Sequence, residues 1–406
     1  MNQRPSPSTG DALLAMRDAT RVAHAGPAPR LQGGALNPPV HRASTIVYDS
    51  VEKYMARHQG LYDEVIYGLY GTQTNYALSN AIATIEGGQH CVLTPSGTSA
   101  ITLALSAVLG AGDHVLVVDS VYGPTRRFLD EVLTRFGVAV DYFDPLAGAA
   151  IADQFRDRTR AVYMEAPGSQ TFEMIDVPAV TAAARRRGIV TLLDNTWATP
   201  LYFRPLAHGV DISIASATKY LSGHSDVMLG ALSTASDALY EKLKDVAARF
   251  GICAAPDDCY LVHRGLRTLD VRLERHQRNA RALIGWLQGR AEVRSILYPG
   301  LEGDPGYAIW QRDYLGASGL FGVLLDPMDM HEASAFFDHF DLFRMGSSWG
   351  GYESLIVPAW PAPVRQHRPT PSEGALIRIH AGLEDPDDLI ADLERGFARL
   401  GRARGQ

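Results

Sequence analysis

Between residues 91 and 216 short β-rich runs alternate with helical patterns, and that alternation sets the fold class. The runs are Cys91–Leu93, His114–Val118, Val138–Phe143, Ala161–Glu165, Ile189–Asp194 and Ile212–Ala215. Between several of them lie stretches of helical period. Thr98–Leu109 places Ile101, Ala104, Leu105 and Val108 on one face and stops at Gly110 and Gly112. Pro124–Phe136 and Pro178–Arg187 have proline near the start and glycine after the end, the usual polarity of helix signals. Strands alternating with helices predict βαβ units and a mostly parallel sheet. No strand–GxGxxG–helix arrangement accompanies them, so the dinucleotide fingerprint is missing.

At 406 residues the chain is long enough for two domains. Three divisions are expected. Residues 1–65 are irregular, with Gly33-Gly34 and Pro38-Pro39, and read as an arm that packs on a neighbouring subunit. Residues 66–264 form the larger domain. From 265 a charged helical pattern, Leu266–Gln288, leads into a smaller α/β domain. Its strands are expected at Val293–Tyr298, Phe321–Leu325 and Leu376–His380, and its last helix starts at Asp385-Pro386-Asp387-Asp388. The net charge of −7, with both signs mixed, argues against nucleic acid as a partner. No run reaches membrane-spanning length. Cys91, Cys253 and Cys259 lack metal-like spacing and suggest a reducing compartment, so a cytoplasmic location and no metal are expected.

The chemistry gathers at strand ends. The chain has four lysines, Lys53, Lys219, Lys242 and Lys244. Lys242 and Lys244 stand among Glu241 and Asp245 and read as solvated helix; Lys53 lies beside Glu52 in a polar stretch. Lys219 alone follows a buried-looking strand and is flanked by hydroxyls, in Ser216-Ala217-Thr218-Lys219-Tyr220. An amine there can lose its proton and form a Schiff base, which a solvated lysine does poorly. One unit earlier, Ile189–Asp194 ends in a carboxylate. Ligands of open parallel sheets collect at the carboxyl ends of strands. Singly, Lys219 reads as a surface lysine and Asp194 as a turn cap. Together they suggest pyridoxal phosphate (PLP), with Lys219 holding the aldehyde and Asp194 keeping the ring nitrogen protonated. Thr94-Pro95-Ser96-Gly97-Thr98-Ser99 supplies free amides at a helix start for the phosphate, or else an ordinary turn. Ser216 and Thr218 add hydroxyls. Tyr122 stacks on the ring face or is a half-buried core tyrosine.

Ser213–Asp226 resembles the lysine signature of the PLP-dependent enzymes of cysteine and methionine metabolism. Asp194-Asn195-Thr196-Trp197-Ala198, Ser348–Leu355 and Leu376–Glu384 are similar to further motifs of that family, and the likeness runs from about residue 37 to the C-terminus. Within the family the likeness is greatest to cystathionine β-lyases, because γ-acting relatives tend to carry leucine at the position of Trp349. The resemblance implies PLP-dependent fold type I (aspartate-aminotransferase-like), with a large mostly parallel sheet domain and a smaller C-terminal α/β domain. It implies β-elimination of L-cystathionine, or a related cysteine thioether, to a thiol, pyruvate and ammonia. The alternatives are a γ-acting relative or a lyase-like regulatory PLP protein.

Roles follow from the same resemblance. Lys219 binds the cofactor and shuttles the Cα proton, Asp194 pairs with the pyridinium, and Tyr122 stacks on it. Gly97, Thr98, Ser216 and Thr218 hold the phosphate. Arg378 grips the substrate carboxylate, with Ser348 and Trp349 beside it. Tyr67 reaches into a neighbouring subunit's site, in a homotetramer built as a dimer of dimers with shared active sites. Many relatives carry arginine two residues after that tyrosine as a phosphate ligand; this chain has Leu69, and Arg42 is a candidate substitute.

Overall fold

The computed structural model describes residue 13 and residues 15–60, 62–359, 364–369 and 373–405. Seven strands form the larger sheet: β1 (His90–Thr94), β2 (His114–Val118), β3 (Ala139–Phe143), β4 (Thr159–Glu165), β5 (Val190–Asp194), β6 (Ile212–Ser216) and β7 (Gly230–Thr234). Their order is β1-β7-β6-β5-β4-β2-β3. The block β3-β2-β4-β5-β6 is parallel, and β7 runs antiparallel to both β6 and β1. Every residue of β2 is buried, as expected where helices cover both faces of a parallel sheet. Thus the mostly parallel α/β architecture is present, with β7 as an addition. Gly230-Ala231-Leu232-Ser233-Thr234 has little β-branched content, so its strand is invisible to pattern alone.

A second sheet is antiparallel throughout, ordered β10-β11-β9-β8: β8 (Val293–Leu297), β9 (Leu320–Leu325), β10 (Leu355–Pro358) and β11 (Ala375–His380). Helices Met330–Phe337 and Pro386–Ala403 pack beside it through Phe336, Phe340 and Phe397, with Phe336–Phe397 centroids 5.1 Å apart. Asp385 caps the last helix by accepting from the Asp387 amide at 3.0 Å.

The charged pattern Leu266–Gln288 is a helix, Leu269–Leu287, separated at Arg267-Thr268 from a preceding helix, Pro256–Leu266. Arg272 accounts for the break: its guanidinium donates to Gly265 O at 2.8 Å and to Tyr220 O at 2.7 Å, so a side chain serves a terminal carbonyl of the first helix. Pro124–Phe136 begins as an α-helix, Gly123–Phe128, then widens at Leu129–Leu133 and tightens at Thr134–Phe136.

The N-terminal region carries two short helices, Asp18–His24 and Val51–Ala56. Val22 and Ala25 are buried with Leu78, Ile82, Leu266 and Leu273. Further on, Val47, Val51 and Met55 present apolar side chains to solvent.

Candidate active site

The carboxyl ends of β4, β5 and β6 bring the reactive groups together. Lys219 follows β6 within a turn, and its Nζ donates to Ser348 Oγ at 2.7 Å. The same nitrogen stands 5.3 Å from the centroid of the Trp349 ring. Gly350, at φ +88°, permits this approach: a Cβ there would meet Tyr220 N at 2.8 Å and Lys219 C at 3.0 Å. Burial pulls the Lys219 amine down to about 8; Arg378 adds to the shift and Asp194 opposes it. Desolvation thus outweighs the attraction of the carboxylate, and the amine gives up its proton more readily than a solvated lysine does.

Asp194 ends β5 and is buried. Burial raises its carboxyl above the ordinary range, against two donors on Oδ1: Thr196 Oγ1 at 2.6 Å and Thr196 N at 3.0 Å. Both donors fall on one oxygen, which leaves Oδ2 for a cation. A protonated ring nitrogen is such a cation, so Asp194 fits the pyridine ring of PLP. Arg378, on β11, is also mostly buried, which lowers its affinity for a proton; its Nη2 donates to Ser348 O at 3.3 Å. A buried guanidinium with spare donors suits a carboxylate ligand.

Ser96 caps the helix Gly97–Val108 by accepting from Ser99 N at 3.1 Å. A Cβ on Gly97 would meet Ser216 Oγ at 2.5 Å, so the absence of one lets this helix start lie against the end of β6. Gly97, Thr98 and Ser216 therefore share one corner, suited to an anion. Thr218 is turned differently: its hydroxyl donates to Leu229 O at 3.2 Å and accepts from Leu229 N at 3.0 Å. Tyr122 precedes the helix Gly123–Phe128, with its ring substantially exposed. Burial, Glu165 and Asp194 raise its phenol while Arg378 lowers it, which locates the ring among these groups.

Tyr67 does not join the cluster within this chain. It is exposed, and among the described residues no hydrogen bond or ring contact links it to Lys219. Arg42 is exposed as well and forms a two-pronged pair with Asp257, its Nε donating at 2.8 Å. Lys244 departs from the solvated reading. Its Nζ donates to Tyr70 O at 2.9 Å and lies 5.2 Å from the Tyr76 ring centroid, and burial pulls its amine down to about 8. It lines a cavity with Leu69, Tyr70, Tyr76 and Cys253, beside the turn that follows Tyr67.

Three contributors escape sequence reasoning. Thr196 and Glu165 lie in stretches that the sequence marks, but nothing in their spacing points to the site. His380 accepts from Gly350 N at 3.1 Å on Nε2 and donates through Nδ1 to Glu353 O at 3.1 Å, pinning the turn that carries Trp349. Burial holds His380 neutral, with its affinity for a proton well below the usual histidine range.

The family model described as "Cys/Met metabolism PLP-dependent enzyme" matches residues 19–398. A putative cystathionine beta-lyase of Rhizobium johnstonii is 47% identical over 383 residues, covering 93% of this chain and 95% of that protein. Cystathionine beta-lyase of Escherichia coli is 41% identical over 388 residues, covering 94% and 98%. Among solved structures, cystathionine gamma-lyase from Lactobacillus plantarum complexed with L-serine superposes with a TM-score of 0.86 at 32% identity, covering 95% of this chain and 99% of that one.

Proposed function

The chain belongs to the Cys/Met metabolism PLP-dependent enzymes, and from that membership we propose that it cleaves L-cystathionine, or a related cysteine thioether, by β-elimination to a thiol, pyruvate and ammonia. It is an enzyme, its cofactor is pyridoxal phosphate and its substrates are amino acids. The observation that carries the reading is the Lys219 amine, drawn down to about 8 and held by Ser348 between Trp349, Asp194 and Arg378.

Lys219 Nζ would hold the cofactor's aldehyde carbon, Asp194 its ring nitrogen, Tyr122 its face, and Gly97, Thr98 and Ser216 its phosphate. Bound there, the cofactor supplies an electron sink for negative charge developing at Cα. Arg378 binds the α-carboxylate bidentately and fixes which Cα bond faces Lys219. Freed from the aldehyde carbon by the substrate's own amine, Lys219 Nζ would take the Cα proton, and Ser348 Oγ would keep the nitrogen aimed. The Cα–H electron pair becomes the Cα–Cβ π bond as the Cβ–S bond breaks and sulfur leaves with its pair as thiolate. The released enamine hydrolyses in water to pyruvate and ammonia. Trp349, with its ring centroid 5.3 Å from the nitrogen, would help to keep water from the amine. The γ-acting alternative breaks a bond one carbon further out, and the likeness to a γ-lyase structure keeps it as the competing outcome. Product analysis decides. Cystathionine should give pyruvate and homocysteine; 2-oxobutyrate and cysteine as the main products would overturn the β reading.

We further propose a homotetramer of dimers with shared sites, residues 1–65 as the arm, 66–264 as the cofactor domain and 265–406 as the C-terminal domain. The exposed Val47, Val51 and Met55 support an arm that packs on another subunit, and the exposed Tyr67 supports a site shared between subunits. Among the described residues no helix is long and apolar enough to cross a membrane. The free thiols of Cys91, Cys253 and Cys259 support a cytoplasmic location.

A further inference from the structure

We propose that Glu165 is a positioning residue of this site: its carboxyl fixes the backbone of Tyr122 and stands there as a neutral acid, leaving Asp194 to carry the negative charge at the ring position. The inference rests on the reading of Lys219 and Asp194 as the PLP pair.

Glu165 ends β4, Asp194 ends β5, and the two are register partners in neighbouring parallel strands. Register partners emerge on the same face, on strands roughly 4.8 Å apart. Two carboxylates that close, largely out of water, are costly to ionise together. The donors around them decide which keeps its charge. Asp194 takes two hydrogen bonds from Thr196, at 2.6 and 3.0 Å, and is attracted by Lys219. Glu165 takes one, from the Tyr122 amide at 2.7 Å. The cation that acts on Glu165 is Arg365, whose Nη2 is turned to other groups: it bonds the Thr171 hydroxyl and Ser169 O and lies 3.5 Å from Glu173, and no hydrogen bond joins the guanidinium to Glu165 among the described residues. The negative charge therefore settles on Asp194 and the proton on Glu165. Burial and the Asp194 charge both push the Glu165 carboxyl upward, in agreement.

The bond to Tyr122 gives Glu165 its structural task. Tyr122 N precedes the helix Gly123–Phe128 and has no intrahelical acceptor. Tyr122 O accepts from Arg126 N at 3.0 Å, and Glu165 secures the other side of the residue. Together they set the direction in which the tyrosine ring leaves the backbone. A ring that must lie flat on a planar cofactor tolerates little rotation. An ionised Glu165 would hold Tyr122 as well, but it would place a second negative charge beside Asp194 and alter the proton affinity of every group there.

Two variants separate these roles. Glu165→Gln retains an acceptor for the Tyr122 amide and is uncharged; Glu165→Leu removes the acceptor. The first measurement is the infrared difference spectrum of the apo-protein in light and heavy water at neutral pH. Wild type should show a protonated-carboxyl C=O band that Glu165→Gln lacks. The second is the pH titration of the visible absorbance after PLP is added, together with PLP affinity. Glu165→Gln should leave the titration midpoint in place and PLP affinity within about twofold, because the acceptor remains. Glu165→Leu should weaken PLP roughly fivefold or more, because the Tyr122 amide loses the acceptor that fixes its backbone. Absence of the infrared band, or a displaced midpoint in Glu165→Gln, would show an ionised Glu165 and overturn the proposal. Wild-type PLP affinity in Glu165→Leu would overturn the positioning role. If Glu165→Leu does not fold, Glu165→Gln and the infrared band decide alone. If wild type develops no visible band with PLP, the proposed function fails, while the infrared result on the apo-protein still settles Glu165.

Discussion

Removing the charge of Lys219 should stabilise the apo-protein. The amine lies mostly buried and has its proton affinity drawn from 10.5 to about 8, chiefly by burial. A lysine with a lowered folded-state value binds fewer protons folded than unfolded. Its charge therefore opposes folding wherever it is protonated, and the opposition fades as pH rises through the window from about 8 to 10.5. A shift of that size corresponds to about 3 kcal/mol at about pH 7, and less than about 1 kcal/mol near pH 10.5. Lys219→Met keeps the length of the side chain and removes the charge. It also removes the bond to Ser348, worth about 1 kcal/mol. The net gain should be about 2 kcal/mol at neutral pH, turning into a small loss near pH 10.5. Urea midpoints of apo wild type and apo Lys219→Met, at one protein concentration and several pH values, measure this. Comparing the pair at each pH cancels the other titrating groups. If Lys219→Met is the less stable protein at neutral pH, or if the difference does not change with pH, the amine is not destabilised by its surroundings. The argument for its low proton affinity would then be wrong.

Borohydride reduction of the PLP-loaded protein followed by peptide mapping should place the label on Lys219 alone; label on Lys244, the other lysine drawn down to about 8, would refute the assignment. Asp194→Asn keeps the shape and removes the charge, so elimination should fall by orders of magnitude while the far-ultraviolet spectrum is unchanged; near-normal turnover would make Asp194 a turn cap. Leu69→Arg should tighten PLP by about 1.5–3 kcal/mol if a phosphate cation is missing; unchanged or weaker binding would mean that another group fills that position. Mixing inactive Tyr67→Phe and Lys219→Ala subunits should restore activity in heterodimers, with exchange followed by native mass spectrometry. No recovery after exchange would mean that each site is built within one chain.

Asp194 is legible because it terminates a run whose period and composition already announce a strand, and Lys219 because it follows such a run within a turn; strand ends in a parallel sheet converge. The partners of those residues were not legible. Glu165 ends a run as plainly as Asp194 does, yet its importance depends on β4 lying next to β5, and adjacency is a property of sheet order, not of local pattern. Thr196 and His380 act through hydrogen bonds whose geometry no spacing rule encodes. The strand β7 was lost because small residues carry its backbone pairing without a β-branched signature. Arg42, the cation to set against Leu69, pairs on the surface with Asp257, 215 residues away in the chain, a contact that no spacing rule encodes. Lys244 departs from its local pattern. Its sequence neighbours Glu241 and Asp245 advertise a solvated helix face, but its stem turns toward Tyr70 and Tyr76, and Tyr70 lies 174 residues away in the chain.

Lys244 and Lys219 also separate two ideas that are easily merged. Both amines are drawn to about 8, and burial is the leading cause for each. A low proton affinity alone therefore does not mark a nucleophile. Lys244 spends its donors on the Tyr70 carbonyl and rests against an aromatic ring, so its proton is engaged in holding the turn that follows Tyr67. Lys219 instead meets a hydroxyl that can accept or donate, Ser348, and stands where Asp194 and Arg378 act on it with opposite sign. Its proton can leave and return without breaking backbone structure. The groups around Lys219 come from β5, β6 and β11 and from the turn before β10, so four separate segments must fold before the amine acquires its character. Around Lys244 the direct partners are a carbonyl and a ring, and Asp63, Cys253 and Cys91 all act on the amine with one sign, to raise its proton affinity. What distinguishes the reactive lysine is the convergence of groups with complementary tasks, and that convergence is what the parallel sheet and the antiparallel sheet jointly build.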